Sequence, residues 1–315
     1  MKPTSLSIVL LLCSAAGYLK AQPECRSTVP VIALDQKTGA PIDSLAASDF
    51  QVRFKGREIP IRTISNTPST RRLVFVLDRS GSVTKSRLGG PDNPKILEAQ
   101  SLNEILSAIP NSYLVAFLEF AGKSSRQTEF LSPDSAKTKL ADILAWKPEE
   151  KGGFRTPLWD NINLASKLLN NRAPGDTVIV ISDGGDNTSR LSLSKLENNL
   201  LAVGIPIFAI VITSGPFRTP EERTGPSNLA DLAETTGGAL ITVANSLQST
   251  DPSGHTPFRG ASQLLSLLAH QYFLTIEAPG MRKTEEGRLT VNTGNRGRKI
   301  MLLYPRYLYP YAATQ

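Results

Sequence analysis

The sequence predicts an α/β fold: a largely parallel sheet with helices on both faces, plus a small flanking β unit. Three observations predict it. Continuous apolar runs recur at Leu73 to Leu77, Tyr113 to Phe120, Thr177 to Ile181, Ile205 to Ile212 and Ala239 to Val243, the mark of strands buried on both faces. Stretches with helical spacing lie between these runs. Ahead of them, residues 29 to 66 contain short strand-like pieces separated by turns.

The chain opens with Lys2, an apolar run from Leu6 to Ala16, and Leu19-Lys20-Ala21 before Gln22. This pattern reads as a secretory signal peptide over residues 1 to 21. The run is too short and too soon interrupted for a membrane span, and a retained signal anchor is the alternative. Cys13 follows Leu12 and not a small residue, which argues against lipidation. The remaining chain is expected to be secreted or periplasmic, with no stable membrane span after cleavage. Losing Lys2 and Lys20 lowers the formal net charge from +7 to +5, too little to argue for nucleic acid. Arg71-Arg72 and Arg296-Gly297-Arg298-Lys299 lack interleaved aromatics and read as solvated strand ends or tails. Cys25 is then the only cysteine, so an internal disulfide and a thiolate metal cluster are both excluded.

In the flanking segment, Val29, Val31 and Ala33 alternate with Pro30 and Ile32, and Phe50, Val52 and Phe54 with polar residues. Residues 22 to 70 therefore form either a small β segment or an extended linker. Beyond Leu73 the helices follow in turn. Ile96, Leu97, Leu102, Ile105, Leu106 and Ile109 recur at helical spacing. Ser132-Pro133-Asp134 supplies a capping hydroxyl, a first-turn proline and an acid for a helix towards Trp146. Leu158 to Leu169, Leu191 to Leu201 and Asn228 to Thr235 are the others of the main domain, which spans residues 71 to 245. Residues 246 to 315 hold a helix from Ala261 to His270 and strands at Tyr272 to Ile276, Leu289 to Val291 and Ile300 to Tyr304, associated with that domain. About six strands are expected in the main sheet. The segment from Val29 to Ile64 is expected to pair near the strands after Tyr272, because exposed sheet edges benefit from cover.

The chemistry concentrates in Asp78-Arg79-Ser80-Gly81-Ser82, where a buried strand ends in an acid and then presents two hydroxyls on a glycine turn. Carboxylate and hydroxyl oxygens suit hard cations such as magnesium, calcium or manganese. Thr156 precedes a helix, and Asp183 follows another buried strand. Open parallel sheets bind ligands beyond such strand ends, so all five side chains can converge there.

Asp78-x-Ser80-x-Ser82 with Thr156 and Asp183 resembles the metal-ion-dependent adhesion site of von Willebrand factor A domains, over about residues 70 to 245. The resemblance implies a von Willebrand factor A-like, Rossmann-type sheet. It implies direct oxygens from Ser80, Ser82 and Thr156, water-mediated contacts from Asp78 and Asp183, and a divalent cation, magnesium first, with manganese or calcium as alternatives. A carboxylate from a protein partner would complete the shell. The flanks also resemble secreted bacterial relatives described from acidobacteria, through Asp49-Phe50, Phe54-Lys55-Gly56, the arginines before Leu73, and Tyr272-Phe273-Leu274. One departure is the expanded path from Lys85 to Pro94, which shapes the metal face or is a neutral surface insertion. Asp186 is not assigned to the shell, and Asp160 is expected to cap or orient its helix.

An enzymatic reading fails on residue types. A phosphoryl-accepting Asp of the haloacid-dehalogenase kind needs a second acid two residues on, and Ser80 stands there. His255 lies in a loop-like tract and His270 at a helix end, without zinc-ligand spacing. The expected function is a metal-dependent protein-binding module of the cell envelope or extracellular space, with no nucleic acid and no catalysis. The alternative is an envelope structural module whose metal only stabilises it.

Overall fold

A computed structural model describes residues 25–66, 70–84, 93–146, 155–212, 219–243, 258–278, 286–294, 299–309 and 311–312. The signal segment, the expanded path at 85–92 and His255 therefore lie outside the described residues. In chain order the elements are β1 (Cys25–Asp35), β2 (Phe50–Phe54), β3 (Arg57–Ile59), β4 (Ile61–Ser65), β5 (Arg72–Asp78), α1 (Gly81–Thr84) and α2 (Pro94–Ala108). Then come β6 (Leu114–Ala121), β7 (Ser124–Gln127), α3 (Pro133–Ala145), α4 (Leu158–Leu168), β8 (Thr177–Ser182), α5 (Leu193–Val203), β9 (Ile207–Val211) and α6 (Pro220–Thr236). The last are β10 (Leu240–Thr242), β11 (Phe258–Arg259), α7 (Ala261–Ala269), β12 (Gln271–Ala278), β13 (Gly287–Thr293), β14 (Ile300–Leu303), β15 (Tyr307–Leu308) and β16 (Tyr311–Ala312).

The central sheet runs β11-β10-β9-β8-β5-β6-β7, seven strands among the described residues. All of its neighbours pair in parallel except β6 and β7. Successive side chains on β5 feed two cores, which is why its apolar run is unbroken. Leu73, Phe75 and Leu77 pack with Leu102 and Ile105 of α2, Ile143 of α3 and Leu264 of α7. Val74 and Val76 pack on the opposite face with Leu158 and Ile162 of α4, Leu200 of α5 and Leu229 of α6. Helix starts follow their capping residues: the Ser132 hydroxyl accepts from the Ser135 amide at 3.3 Å, and Asn93 from the Lys95 amide at 3.0 Å.

Two expectations need correction. Helix α6 begins at Pro220, not near Asn228, on a capping box of Thr219 and Glu222. Gly225-Pro226 looks like a breaker, yet both residues sit inside the helix, where a Cβ on Gly225 would meet the Gly184 backbone at 2.4 Å. Arg71 is not solvated but 2% exposed. Its guanidinium donates to the Leu268 carbonyl and, at 2.9 Å, to Gln271, and it lies over the rings of Tyr113 and Phe273. It thereby ties the first central strand to the end of α7, and burial lowers its pKa.

The flanks form two sheets, β14-β1-β12-β4 with β16 beside β1, and β15-β13-β2-β3. Strand β1 lies antiparallel to β12, with Val29 opposite Leu274. Val29, Val31 and Ala33 join Phe50, Val52, Phe54, Leu274 and Val291 in a sandwich core. The alternate face of β1, Ile32 and Leu34, enters the core of the central domain. One strand thus serves two cores and joins the flank to the central domain.

Candidate functional site

Asp78 ends β5 and is fully buried. One carboxylate oxygen accepts the Ser80 amide at 2.8 Å, and the other accepts the Ser182 hydroxyl at 2.6 Å. Ser182 ends the neighbouring strand β8, so the paired register of β5 and β8 brings Asp183 to the same edge. Burial pushes the Asp78 carboxyl up to about 7, and the Asp183 charge adds to this against the hydrogen bonds from Ser182 and Ser80. Ser80 is 1%, Thr156 5% and Asp183 3% exposed. Ser82 falls within α1, and its side chain lies outside the description.

The loops are fixed by specific bonds. Gly184 has φ +85°, and a Cβ there would meet the Gly225 backbone at 2.4 Å, so the loop after β8 rests directly on α6. The Gly185 amide donates to Asp183 at 3.0 Å. Thr156 is tied to the same loop, its amide donating to Asn187 at 2.8 Å while the Asn187 amide donates to its carbonyl at 3.2 Å. Asp186 accepts the Trp159 amide at 3.3 Å and the Ser189 hydroxyl at 2.5 Å. Asp160 accepts the Arg190 and Leu191 amides, both at 3.0 Å, so it orients the loop beyond the site instead of its own helix start.

Sequence reasoning missed Arg79. Its side chain is buried and binds Glu98 of α2 and, at 3.3 Å, Glu119 of β6. Glu119 also binds Arg126 of β7, which lies over Trp146. Burial outweighs Arg79 and pushes Glu98 up to about 7; burial raises Glu119 too, against Arg126 and Arg79. This network anchors the turn between Asp78 and Ser80 to three elements. The signal was Glu119 itself, an acid inside an apolar run, which demands a buried partner.

Among the described residues no group of three or more His, Cys, Asp or Glu could hold a metal. The donors here are two acids with hydroxyls, so the test of fit is their chemistry. No described cation pairs with Asp78, whose charge therefore faces Asp183 and hydroxyl dipoles. A divalent cation would neutralise this pair, and the oxygen-only donor set fits magnesium, manganese or calcium. No described helix is long and apolar enough to cross a membrane.

No curated protein matches the chain. Among solved structures it is similar to an aerotolerance-related membrane protein from Bacteroides fragilis, at 20% identity and TM-score 0.44, covering 56% of this chain and 92% of that one. It is also similar to manganese-loaded TRAP protein from Plasmodium vivax, at 12% identity and TM-score 0.43, covering 75% and 93%. The family model of the von Willebrand factor type A domain matches residues 73–253. With more than half of its length matched, the chain belongs to the von Willebrand factor type A domain family, whose members are non-catalytic interaction modules.

Proposed function

We propose that the chain is a metal-dependent, adhesion-type protein-binding module of the cell envelope or extracellular space. The supporting observation is Asp78, a buried carboxylate with no described cation paired to it, facing a second buried acid at the edge of a parallel sheet. In this reading Asp78, Ser80, Ser82, Thr156 and Asp183 hold a divalent cation, magnesium first and manganese or calcium next. The cation supplies Lewis acidity towards a partner Asp or Glu. The chain's own residues set the loops that carry the oxygens: Ser182 orients Asp78, Asn187 holds Thr156, and Arg79 pins the turn. The signal-like N-terminus and the likeness of the flanks to secreted bacterial relatives support the location.

The test is capture of partners from an envelope fraction with magnesium, with chelator, and with the Ser80→Ala protein. Loss of the same partners in the last two conditions, with the fold preserved, is expected. Equal retention in all three overturns metal-mediated recognition and leaves a structural module with a stabilising metal.

A further inference from the structure

A cleft of about 600 Å³ opens beside Thr156, and its lining includes Lys123, Ser125, Arg155, Asp160, Thr188 and Arg190. Three separate connections at the same sheet edge bring the cations together. Lys123 lies between β6 and β7, Arg155 immediately precedes Thr156, and Arg190 lies in the loop from β8 to α5. The backbone holds this arrangement, because the Gly122 amide donates to the Arg155 carbonyl at 2.9 Å. All three cations are exposed, and none of the ion pairs among the described residues uses them. Asp160 also lines the cleft, its two oxygens accepting the backbone amides of Arg190 and Leu191, so the lining sets three cations against one carboxylate. Ser125 and Thr188 add hydroxyl donors to a lining that already favours anions.

We propose that this cleft binds an acidic stretch of peptide, next to the carboxylate that the candidate metal would take. The chemistry is that of guanidinium and ammonium groups meeting several carboxylates at once, with Arg155 and Arg190 able to grip in two-point fashion. A single metal-bound carboxylate selects no sequence, whereas a second anionic contact beside it reads the residues that flank it. The placement rests on the adhesion-type reading, but the cleft's cations act without a metal.

The probes are fluorescein-labelled octaglutamate and octaglutamine, measured by anisotropy on the full chain with magnesium and with chelator. Octaglutamate is expected to bind and octaglutamine not. Lys123→Glu with Arg190→Glu is expected to weaken binding by about tenfold or more, and added salt to weaken it further. Arg190→Gln, which keeps the side chain polar, is expected to show a smaller loss and serves if the double variant misfolds. Equal binding of both peptides, no binding of either, or affinity unchanged by charge removal overturns the proposal. Loss by charge reversal with indifference to chelator keeps the cleft and rejects the metal reading. Loss by chelator with indifference to charge reversal does the opposite.

Discussion

Glu277 in the flanking sandwich and Asp78 at the edge of the central sheet are both buried acids, and their surroundings are opposite. Glu277 is 3% exposed and is gripped by Arg26 at 2.7 Å and by Arg62, two guanidiniums that reach in from solvent. Asp78 is more deeply buried and meets hydroxyls and another acid. The flank supplies the counter-charge from its own chain, whereas among the described residues no cation pairs with Asp78. Buried charge is costly without a partner, and this contrast is what the proposed cation at the edge would relieve. Arg79 lies one residue from Asp78 and shows that cations are not scarce there: its charge goes to Glu98 and Glu119 beneath the turn.

The largest effect comes from removing that cation. Arg79→Met leaves Glu98 and Glu119 buried without it, and is expected to cost about 3–5 kcal/mol in urea unfolding. A loss below about 1 kcal/mol would show that the network does not hold the turn.

The next effect is one of pH. In the fold the Asp78 carboxyl titrates at about 7, against an ordinary value of 3.8, so between these values the folded chain keeps a proton that the unfolded chain has released. Its contribution is fully present below the lower value and is lost as pH rises through the upper one. Glu98, pushed up to about 7, acts in the same direction. Without added cation, stability is expected to fall by on the order of 5 kcal/mol between about pH 5 and about pH 8, and Asp78→Asn to remove roughly half of that slope. An unchanged slope in the variant would remove Asp78 as its source.

The smallest effect belongs to the flank. Glu277→Gln keeps the shape and loses a charge whose partners are 61% and 58% exposed, so it is expected to cost about 1 kcal/mol or less in the same unfolding assay. A cost as large as that of Arg79→Met would erase the contrast between the two regions.

Much of the fold was legible in sequence because buried parallel strands announce themselves as unbroken apolar runs, and the acids Asp78 and Asp183 fall at the C-terminal ends of two of them. Strand β7 was not legible: its Ser-Ser-Arg-Gln carries no apolar signal, since it pairs on an edge and buries little. The start of α6 was hidden by Gly225-Pro226, whose reason is the backbone of Gly184 packed against it. Arg71 and Arg79 could not be placed as buried from composition, because their partners are supplied by residues far along the chain. Local pattern reports which residues leave water; it does not report which charges meet there.

In the proposed function Asp78 and Asp183 share a divalent cation. Calorimetric titration with magnesium, manganese and calcium tests it most directly, on the unaltered protein and on Asp78→Ala and Asp183→Ala. A single site is expected in the unaltered protein, with affinity lower by about tenfold or more in each variant. Unchanged affinity in both variants would contradict it.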